Sequence, residues 1–523
     1  MKKFISVICF LLIGALLVVG YSQVASFKLA NCVLIMQDFY KQPENSIDII
    51  SIGSSHIYYD INPAVIWDTA GYSSYNLAAS SQPITCSYYY LVEALKTQSP
   101  KLVILDVYFL YDDSNYAQSN IAIWNIYGMK WSQNKIDAID TVVSPEERFN
   151  FYVDLCLTHG RYNDISSDDF ITNANSNEYR YYKGFYCSSA VKEMTKKDNT
   201  SEDSTEYISE KNEKYYRMFI EKCIEENIQL LVLSVPFNEG TYNRRINNTA
   251  KGIAEEYQSE LVTFCNFNDR TEAMSLDYAT DFSDSQHLNF SGSEKFSTFL
   301  TAYIEENYDI PCHWEDDTYE SWDEAYNTYR RQMNNLEISK TKNLENWLSA
   351  VQNAGEYYDI FIAINGYSDD YYDSFVDDAK NEVLSKYAGC ENQEFLAKKI
   401  KTAGENAEKV MEKADSVKSA LNDFLTSYNA DEISLKNSYV YISDGVVKDI
   451  YTEDQERFKS YSLSRQNDIA LSESDGIYKI NLNGTDKTLT ETGITILVYD
   501  SYFDKTVDTV FVDLDQNNLE RES

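Results

Sequence analysis

The stretch "IDIISIGSSHIYYDINP", residues 47–63, ends an apolar run abruptly on a glycine, two serines and a histidine. A glycine permits a tight turn after a strand. Hydroxyls placed there stand where the carboxyl edges of parallel strands host ligands. A serine alone is a poor nucleophile; it needs a base, and the base needs an orienting carboxylate. The chain has four histidines, His56, His159, His287 and His313. One of them comes with a carboxylate at a useful distance. "DFSDSQHLNFSG", residues 281–292, sets Asp284 three residues before His287, in a loop just ahead of a helix opened by Asn289 or Ser291. In a turn, that spacing lets one carboxylate reach Nδ1 of the same imidazole and leaves Nε2 to face a serine from elsewhere. The chemistry implied is acyl transfer through a hydroxyl nucleophile, with Ser54 or Ser55 in that role, because sequence does not decide which hydroxyl faces the base. Asp281 is the alternative orienter. His56 reads as a structural or substrate-lining hydrogen-bonder, and His159 and His313 as surface residues.

The elements that must position these groups come from an α/β pattern over residues 47–311. Ile47–Ile52, "KLVILDV" (101–107), "IQLLVLSVP" (228–236) and "ELVTF" (260–264) are apolar runs of strand length, and "SYNLA" is a further short strand. Strands without alternation, separated by helices, imply a parallel sheet covered on both faces. Asn62-Pro63 reads as a helix start, with Asn at the N-cap and Pro at N1. Pro83–Lys96 and Ser291–Asn307 read as helices. Residues 110–205 fit the alternation badly and are expected to form an inserted, mostly helical cap with aromatic clusters such as "YRYYKGFY". Residues 312–355 read as a charged, aromatic helical linker, either one helix or a hairpin. From 356 to 515 the pattern becomes β-rich, in "DIFIAI", "NSYVYIS", "GIYKINLNG" and "GITILVYDSYFDKTVDTVFVD", followed by a polar tail at 516–523. Within this part Leu396, Ile400, Ala403, Ala407, Val410, Ala414, Val417, Leu421 and Phe424 step by four and three along an inserted helix at about 391–428. Such a seam either packs on its own domain or pairs with a partner protein.

Composition limits the partners. The net charge of -38 argues against polyanionic nucleic acid as a partner, because it would be repelled. The 44 tyrosines offer flat amphipathic area suited to sugar or protein surfaces and also to ordinary cores. The nine cysteines are scattered singly, without metal-ligand or redox spacing, and four histidines make a histidine-rich metal centre improbable. No metal or organic cofactor is implied. "MKK" precedes Phe4–Phe27, a run of 24 residues without a charge. About 20 apolar residues cross a bilayer. Residues 1–27 are therefore expected to be an anchor, or a signal cleaved near Val24-Ala25-Ser26, with 28–46 as a juxtamembrane stalk and the bulk of the chain outside the cytoplasm.

Gly53-Ser54-Ser55 after the first strand and Asp284-Ser285-Gln286-His287 before the last helix together resemble the SGNH/GDSL hydrolase superfamily over about 47–310. The Gly-Ser-Ser-His-x-Tyr form, with "YNLAASSQP" and "YKGFY" after it, looks most like an extracytoplasmic branch related to the D-alanyl transfer protein of teichoic acid modification and to alginate O-acetylation proteins. The resemblance implies a three-layer α/β/α flavodoxin-like domain, with Ser55 as nucleophile, His287 as base and Asp284 as its orienter. The expected activity is that of a serine esterase or O-acyltransferase on acyl esters of cell-surface polysaccharide. Two departures stand out. Asn76-Leu77-Ala78 replaces the branch's Asn-Leu-Gly, and the superfamily's Gly-x-Asn-Asp block is missing, with "LDVYFLYDDSN" after the corresponding strand. The oxyanion hole is then expected to lean on Gly53-Ser54-Ser55 and on the Asn76 or Gln82 region. Losing one donor costs about 2.7–4 kcal/mol of transition-state stabilisation, so a degenerate, purely carbohydrate- or protein-binding protein is the alternative. The C-terminal part, chiefly its Gly-Ile-x-Ile-x-Val-Tyr-Asp segment at residues 493–500, resembles the interleukin-like EMT inducer domain, which implies a glycan-binding accessory or spacer module.

Overall fold

The structure is a computed structural model. It describes residues 2–27, 31–165, 167–170, 182–186, 188–198, 201–354, 357–365, 369–389, 392–428, 438–452, 458–464, 467–474, 476–488, 493–512 and 519–521. The chain divides into two compact units, Met1–Tyr329 and Arg330–Ser523.

The first unit is α/β. Strands β1 (Ile49–Gly53), β2 (Ser74–Ala78), β3 (Leu102–Asp106), β4 (Gln229–Ser234) and β5 (Val262–Asn266) form one parallel sheet in the order β2-β1-β3-β4-β5. Every residue of β1, β2 and β3 is buried, so both faces of the sheet are covered, and this is why β1 and β3 are mostly apolar. The register pairs Gly53 with Ala78, Asp106 with Leu233 and Ser234 with Asn266, which lines up the carboxyl ends along one edge. Helix α1 (Lys2–Val24) contains the segment Phe4–Val24, long and apolar enough to cross a membrane and not buried within the unit. Helix α2 (Asn31–Phe39) is followed in the chain by β1, then α3 (Ser55–Asp60) and α4 (Pro63–Ala70). The Asn62 side chain caps α4 by accepting from Ala64 N–H at 3.0 Å, Pro63 opens it, and left-handed Gly71 closes it, as the Asn-Pro pair predicts.

Two expectations change and a third is refined. Residues 31–39 are not a free stalk: Met36 and Phe39 are buried in the core, and the Tyr75 hydroxyl donates to Ile35 O at 2.7 Å, because this segment carries an apolar face that the sheet covers. Helix α5 (Ile84–Ala94) precedes the insert, whose α-helices among the described residues, α6 (Ser119–Ile126), α7 (Gln133–Val142), α8 (Arg148–Tyr152) and α9 (Asp154–Thr158), all lie in its first part. The described residues of 182–198 instead run as an irregular strap, with one backbone bond of its own, Phe185 N–H to Tyr182 O, and others to β2, α3 and the loop leading to Phe290. The segment 312–355 is helical over Glu320–Lys340 and Leu344–Asn353, and its Trp322 and Trp347 are core residues. Trp322 is buried in the first unit, whereas Leu344, Trp347 and Val351 belong to the core of the second. Its large aromatics find cores on both sides of the boundary. Helices α10 (Glu210–Glu225), α11 (Thr241–Glu256) and α12 (Phe290–Asn307) complete the first unit, and α13 (Glu320–Lys340) contains the boundary.

The second unit carries two antiparallel sheets. The larger has the order β15 (Leu519–Arg521), β14 (Lys505–Val512), β13 (Gly493–Asp500), β6 (Tyr358–Asn365), β7 (Ser438–Ser443), β8 (Val446–Thr452). The smaller has the order β12 (Thr485–Asp486), β11 (Ile477–Leu482), β10 (Asp468–Ser474), β9 (Phe458–Ser462). On β6, Ile360, Ile362 and Ile364 join a core shared with α14 (Leu344–Asn353) and α16 (Gln393–Ser427). Phe361 and Ala363 join a second core with Ile469, Leu471 and Ile480 of the smaller sheet. Helix α15 (Asp369–Lys386) runs beside α16, where Gly404 lies against the Lys380 side chain. The heptad seam therefore meets its own unit: Ala414, Val417, Leu421 and Phe424 fill the core.

Among the described residues the seven cysteines Cys9, Cys32, Cys86, Cys156, Cys223, Cys265 and Cys312 are free thiols; Cys187 and Cys390 lie outside them.

Candidate active site

The strand-to-helix step at β1 sets the first component. Gly53 is required by close approach: a Cβ there would come within 2.8 Å of both Asp106 Cβ and Ile57 Cγ1. Ser54 caps α3, its Oγ accepting from His56 N–H at 3.4 Å and donating to Asp106 Oδ2 at 3.3 Å. Ser54 thus turns away from the imidazole and is not the nucleophile candidate. Ser55, first residue of α3, meets His287, with Oγ and Nε2 2.8 Å apart.

The second component is the loop before α12. Asp284 Oδ1 accepts from the backbone N–H groups of Gln286 at 2.7 Å and His287 at 3.0 Å, while Oδ2 lies 2.9 Å from His287 Nδ1. One carboxylate both closes the turn and orients the ring. Burial works against its ionisation, yet the bonds from the imidazole and from Gln286 N–H prevail and hold the Asp284 carboxyl below its usual range. An ionised Asp284 accepts the Nδ1 proton, which leaves Nε2 as the acceptor for the Ser55 hydroxyl. Asp281 stands elsewhere: it binds Lys295 at 2.7 Å and Ser291 at 2.8 Å and braces the start of α12 rather than His287. Asn289 caps that helix by accepting from Gly292 N–H at 3.2 Å.

The remaining sequence-predicted residues take other roles. The Asn76 side-chain N–H groups donate to Ile57 O and Ile61 O, at 3.2 and 2.6 Å, so the amide holds α3 instead of supplying an oxyanion donor. Gln82 donates to Ser87 Oγ at 3.0 Å, within its own stretch of chain. His56 is fully buried between Tyr108, 4.0 Å from it ring to ring, Phe237 at 5.3 Å and His287 at 5.4 Å. Neither of its ring nitrogens has a hydrogen-bond partner among the described residues. Burial, reinforced by His287, holds its pKa well below the ordinary value, so the ring is neutral and carries one N–H available to donate. On its other side His287 packs against Tyr59, at 4.8 Å, which meets Tyr186 at 5.4 Å. His313 is not a surface residue: it lies 2.7 Å from Asp48 and stacks on Tyr319 at 3.8 Å. His159 is exposed, with Nδ1 2.7 Å from Cys156 O.

Sequence reasoning missed three features. The strap ties both components together: Lys183 O accepts from Asn76 N–H, Tyr186 N–H donates to Tyr58 O on α3, and Ser188 O accepts from Phe290 N–H beyond His287, at 2.9, 2.7 and 3.2 Å. Gly184, at φ +82°, lies so close to Asn76 O that a Cβ would stand 2.0 Å from it. Its only signal was the glycine inside "YKGFY". Asp60 and Asp106, the other two, were visible only as carboxylates closing apolar stretches.

Burial pushes Asp106 up to about 7, against the opposing pull of the Tyr108 N–H, the Ser54 hydroxyl and the Val235 and Val107 N–H groups. A carboxyl raised on folding stabilises the native state fully below its ordinary value of 3.8, and this contribution is lost as pH rises towards 7. Asp106→Asn is expected to flatten the fall in chemical-denaturation stability between about pH 4 and 7 by on the order of a few kcal/mol. An unchanged pH slope would show that Asp106 ionises freely.

Against known proteins, the chain matches no family model and no curated protein.

Proposed function

We propose that the chain is an extracytoplasmic serine esterase or O-acyltransferase of the SGNH type, with a flavodoxin-like three-layer catalytic domain and a membrane anchor in α1. Its substrates are acyl esters, such as O-acetyl or D-alanyl, on cell-surface glycans. The observation that carries the reading is the unbroken relay from Ser55 Oγ through His287 to Asp284, with links of 2.8 and 2.9 Å. In the reaction Ser55 Oγ attacks the ester carbonyl as His287 Nε2 takes its proton. His287 returns that proton to the departing alcohol, leaving an acyl-serine. A second oxygen nucleophile, deprotonated by the same imidazole, then attacks the acyl-serine. Water completes hydrolysis; a sugar hydroxyl completes transfer. The Ser55 N–H, first in its helix and so without an intrahelical acceptor, serves the oxyanion. The His56 imidazole and Tyr108 stand on the β3 side of the relay, and on the other Tyr59 and Tyr186 meet edge to face, an amphipathic aromatic pair suited to a sugar. The C-terminal sandwich serves as a glycan-binding or spacing module.

A second reading, a non-catalytic surface-binding protein, is favoured by Ala78 in the glycine's place and by Tyr108 standing after β3 where a Gly-x-Asn-Asp block would be. Incubating the purified full chain with a fluorophosphonate probe separates the two. Wild type is expected to be labelled and Ser55→Ala not. If neither is labelled, the enzyme is lost and the binding protein stands.

A further inference from the structure

Helix α3 is six residues long, and both of its ends are tied to consecutive residues of the histidine loop. At its start Ser55 Oγ meets His287 Nε2 at 2.8 Å; at its end Asp60 Oδ1 accepts from Leu288 N–H at 2.9 Å. The Asp60 main chain adds a third tie, its O accepting from Ser293 Oγ at 3.2 Å. Asp60 is completely buried, and its Oδ2 has no hydrogen-bond partner among the described residues. A buried carboxyl with one bond of this kind is costly unless the bond does something specific. Its single side-chain contact fixes the backbone directly after the imidazole.

We propose that Asp60 is a positioning residue that sets the Ser55–His287 separation by clasping the Leu288 N–H, an inference that rests on Ser55 and His287 being the reacting pair. The mechanical argument is simple. His287 is held from Asp284 on its own loop, which fixes the ring within the loop but not the loop against α3. The Asp60 bond fixes the loop against α3 at the residue where an error would be passed straight to Nε2. A misplacement of about 1 Å in such a pair costs on the order of 100-fold in rate.

The Asp60 carboxyl does this where burial disfavours its charge. Burial drives its carboxyl well above the ordinary range, opposed by the Leu288 N–H and reinforced by the nearby Asp106 and Asp284 carboxylates. A neutral amide should therefore replace it, whereas an apolar isostere should not.

The test uses the full chain with two readouts, the rate of fluorophosphonate labelling and backbone hydrogen exchange over the loop at residues 283–290. Asp60→Asn is expected to label within about threefold of wild type with unchanged exchange. Asp60→Leu is expected to label about 100-fold more slowly and to speed exchange at the Leu288 amide. Ser55→Ala abolishes labelling but leaves exchange unaltered, which separates loss of the nucleophile from loss of the clasp. The proposal is overturned if Asp60→Leu labels at the wild-type rate, or if Asp60→Asn is as slow as Asp60→Leu. Should Asp60→Leu fail to fold, the asparagine variant and the protection of Leu288 N–H in wild type decide; a rapidly exchanging amide there refutes the clasp. Absence of labelling in wild type would remove the reacting pair and with it the positioning role, while slow Leu288 exchange would still report the bond itself.

Discussion

His287→Gln is expected to slow acylation of Ser55 by on the order of 10⁴–10⁶, measured as turnover of a small aryl ester or as fluorophosphonate labelling, with the melting temperature little changed. The reason lies in how the site is held. Glutamine offers no group that can take a proton from Ser55 at neutral pH, so the hydroxyl keeps its ordinary, feeble nucleophilicity. The fold loses little, because the loop is held by the Asp284 turn, the Asp60 bond and the Ser188 bridge, none of which uses the imidazole ring. Asp284→Asn is expected to cost less than removing the base. Its amide oxygen still closes the turn by accepting from Gln286 N–H, but it no longer favours the Nδ1–H tautomer or the imidazolium. A ratio near one between the two variants and wild type would leave only the binding-protein reading.

The second large effect concerns stability rather than chemistry. Asp500 is completely buried at the end of β13, and Arg331 on α13 grips it with two bonds, of 2.6 and 2.9 Å. Asn335 donates to the same carboxylate at 2.8 Å, and the Tyr502 and Phe503 N–H groups at 2.9 and 3.2 Å. A bidentate guanidinium is the strong form of this contact. Arg331→Met leaves a buried carboxylate without its counter-charge, which costs about 3–5 kcal/mol. For a unit of this size that is a fall of roughly 10 °C in the melting temperature, read by differential scanning calorimetry. Adding Asp500→Leu to Arg331→Met is expected to recover part of the loss, because the unpaired charge goes as well. Recovery stays partial because the turn at residues 502–503 loses its acceptor. A single variant as stable as wild type would show that the pair contributes nothing.

Much of the first unit is legible in its residues. A strand buried on both faces carries few polar positions, so Ile47–Ile52, 101–107 and 228–236 announce β1, β3 and β4 within two residues. Segment 260–264 is read two residues early, because Val262 and Phe264 are only half-buried and the apolar signal is weak at that edge strand. Asp284 and His287 are legible as a pair because their bond is local: three residues and one turn suffice. The Asn76 and Gln82 side chains are misjudged for the opposite reason. An amide's hydrogen-bond partners depend on which carbonyls the fold brings near, and sequence distance does not encode the Ile57 and Ile61 carbonyls. The same holds for Asp60, whose partner lies 228 residues away, and for the strap, whose backbone bonds follow no period at all. The stalk expectation fails, and the linker reading misses its buried side chains, on a simpler count. Charged and aromatic composition suggests solvent, but Phe39, Trp322 and Trp347 each carry enough apolar area to draw their segments into a core.

Strand β6 belongs to two cores at once, with Ile360, Ile362 and Ile364 on one side and Phe361 and Ala363 on the other. Loosening the small sheet strips water exclusion from the opposite face of the same strand, and melting the helices does likewise in reverse. The sandwich and its helical cover therefore unfold together, as one cooperative block, and neither layer survives as a separable fragment.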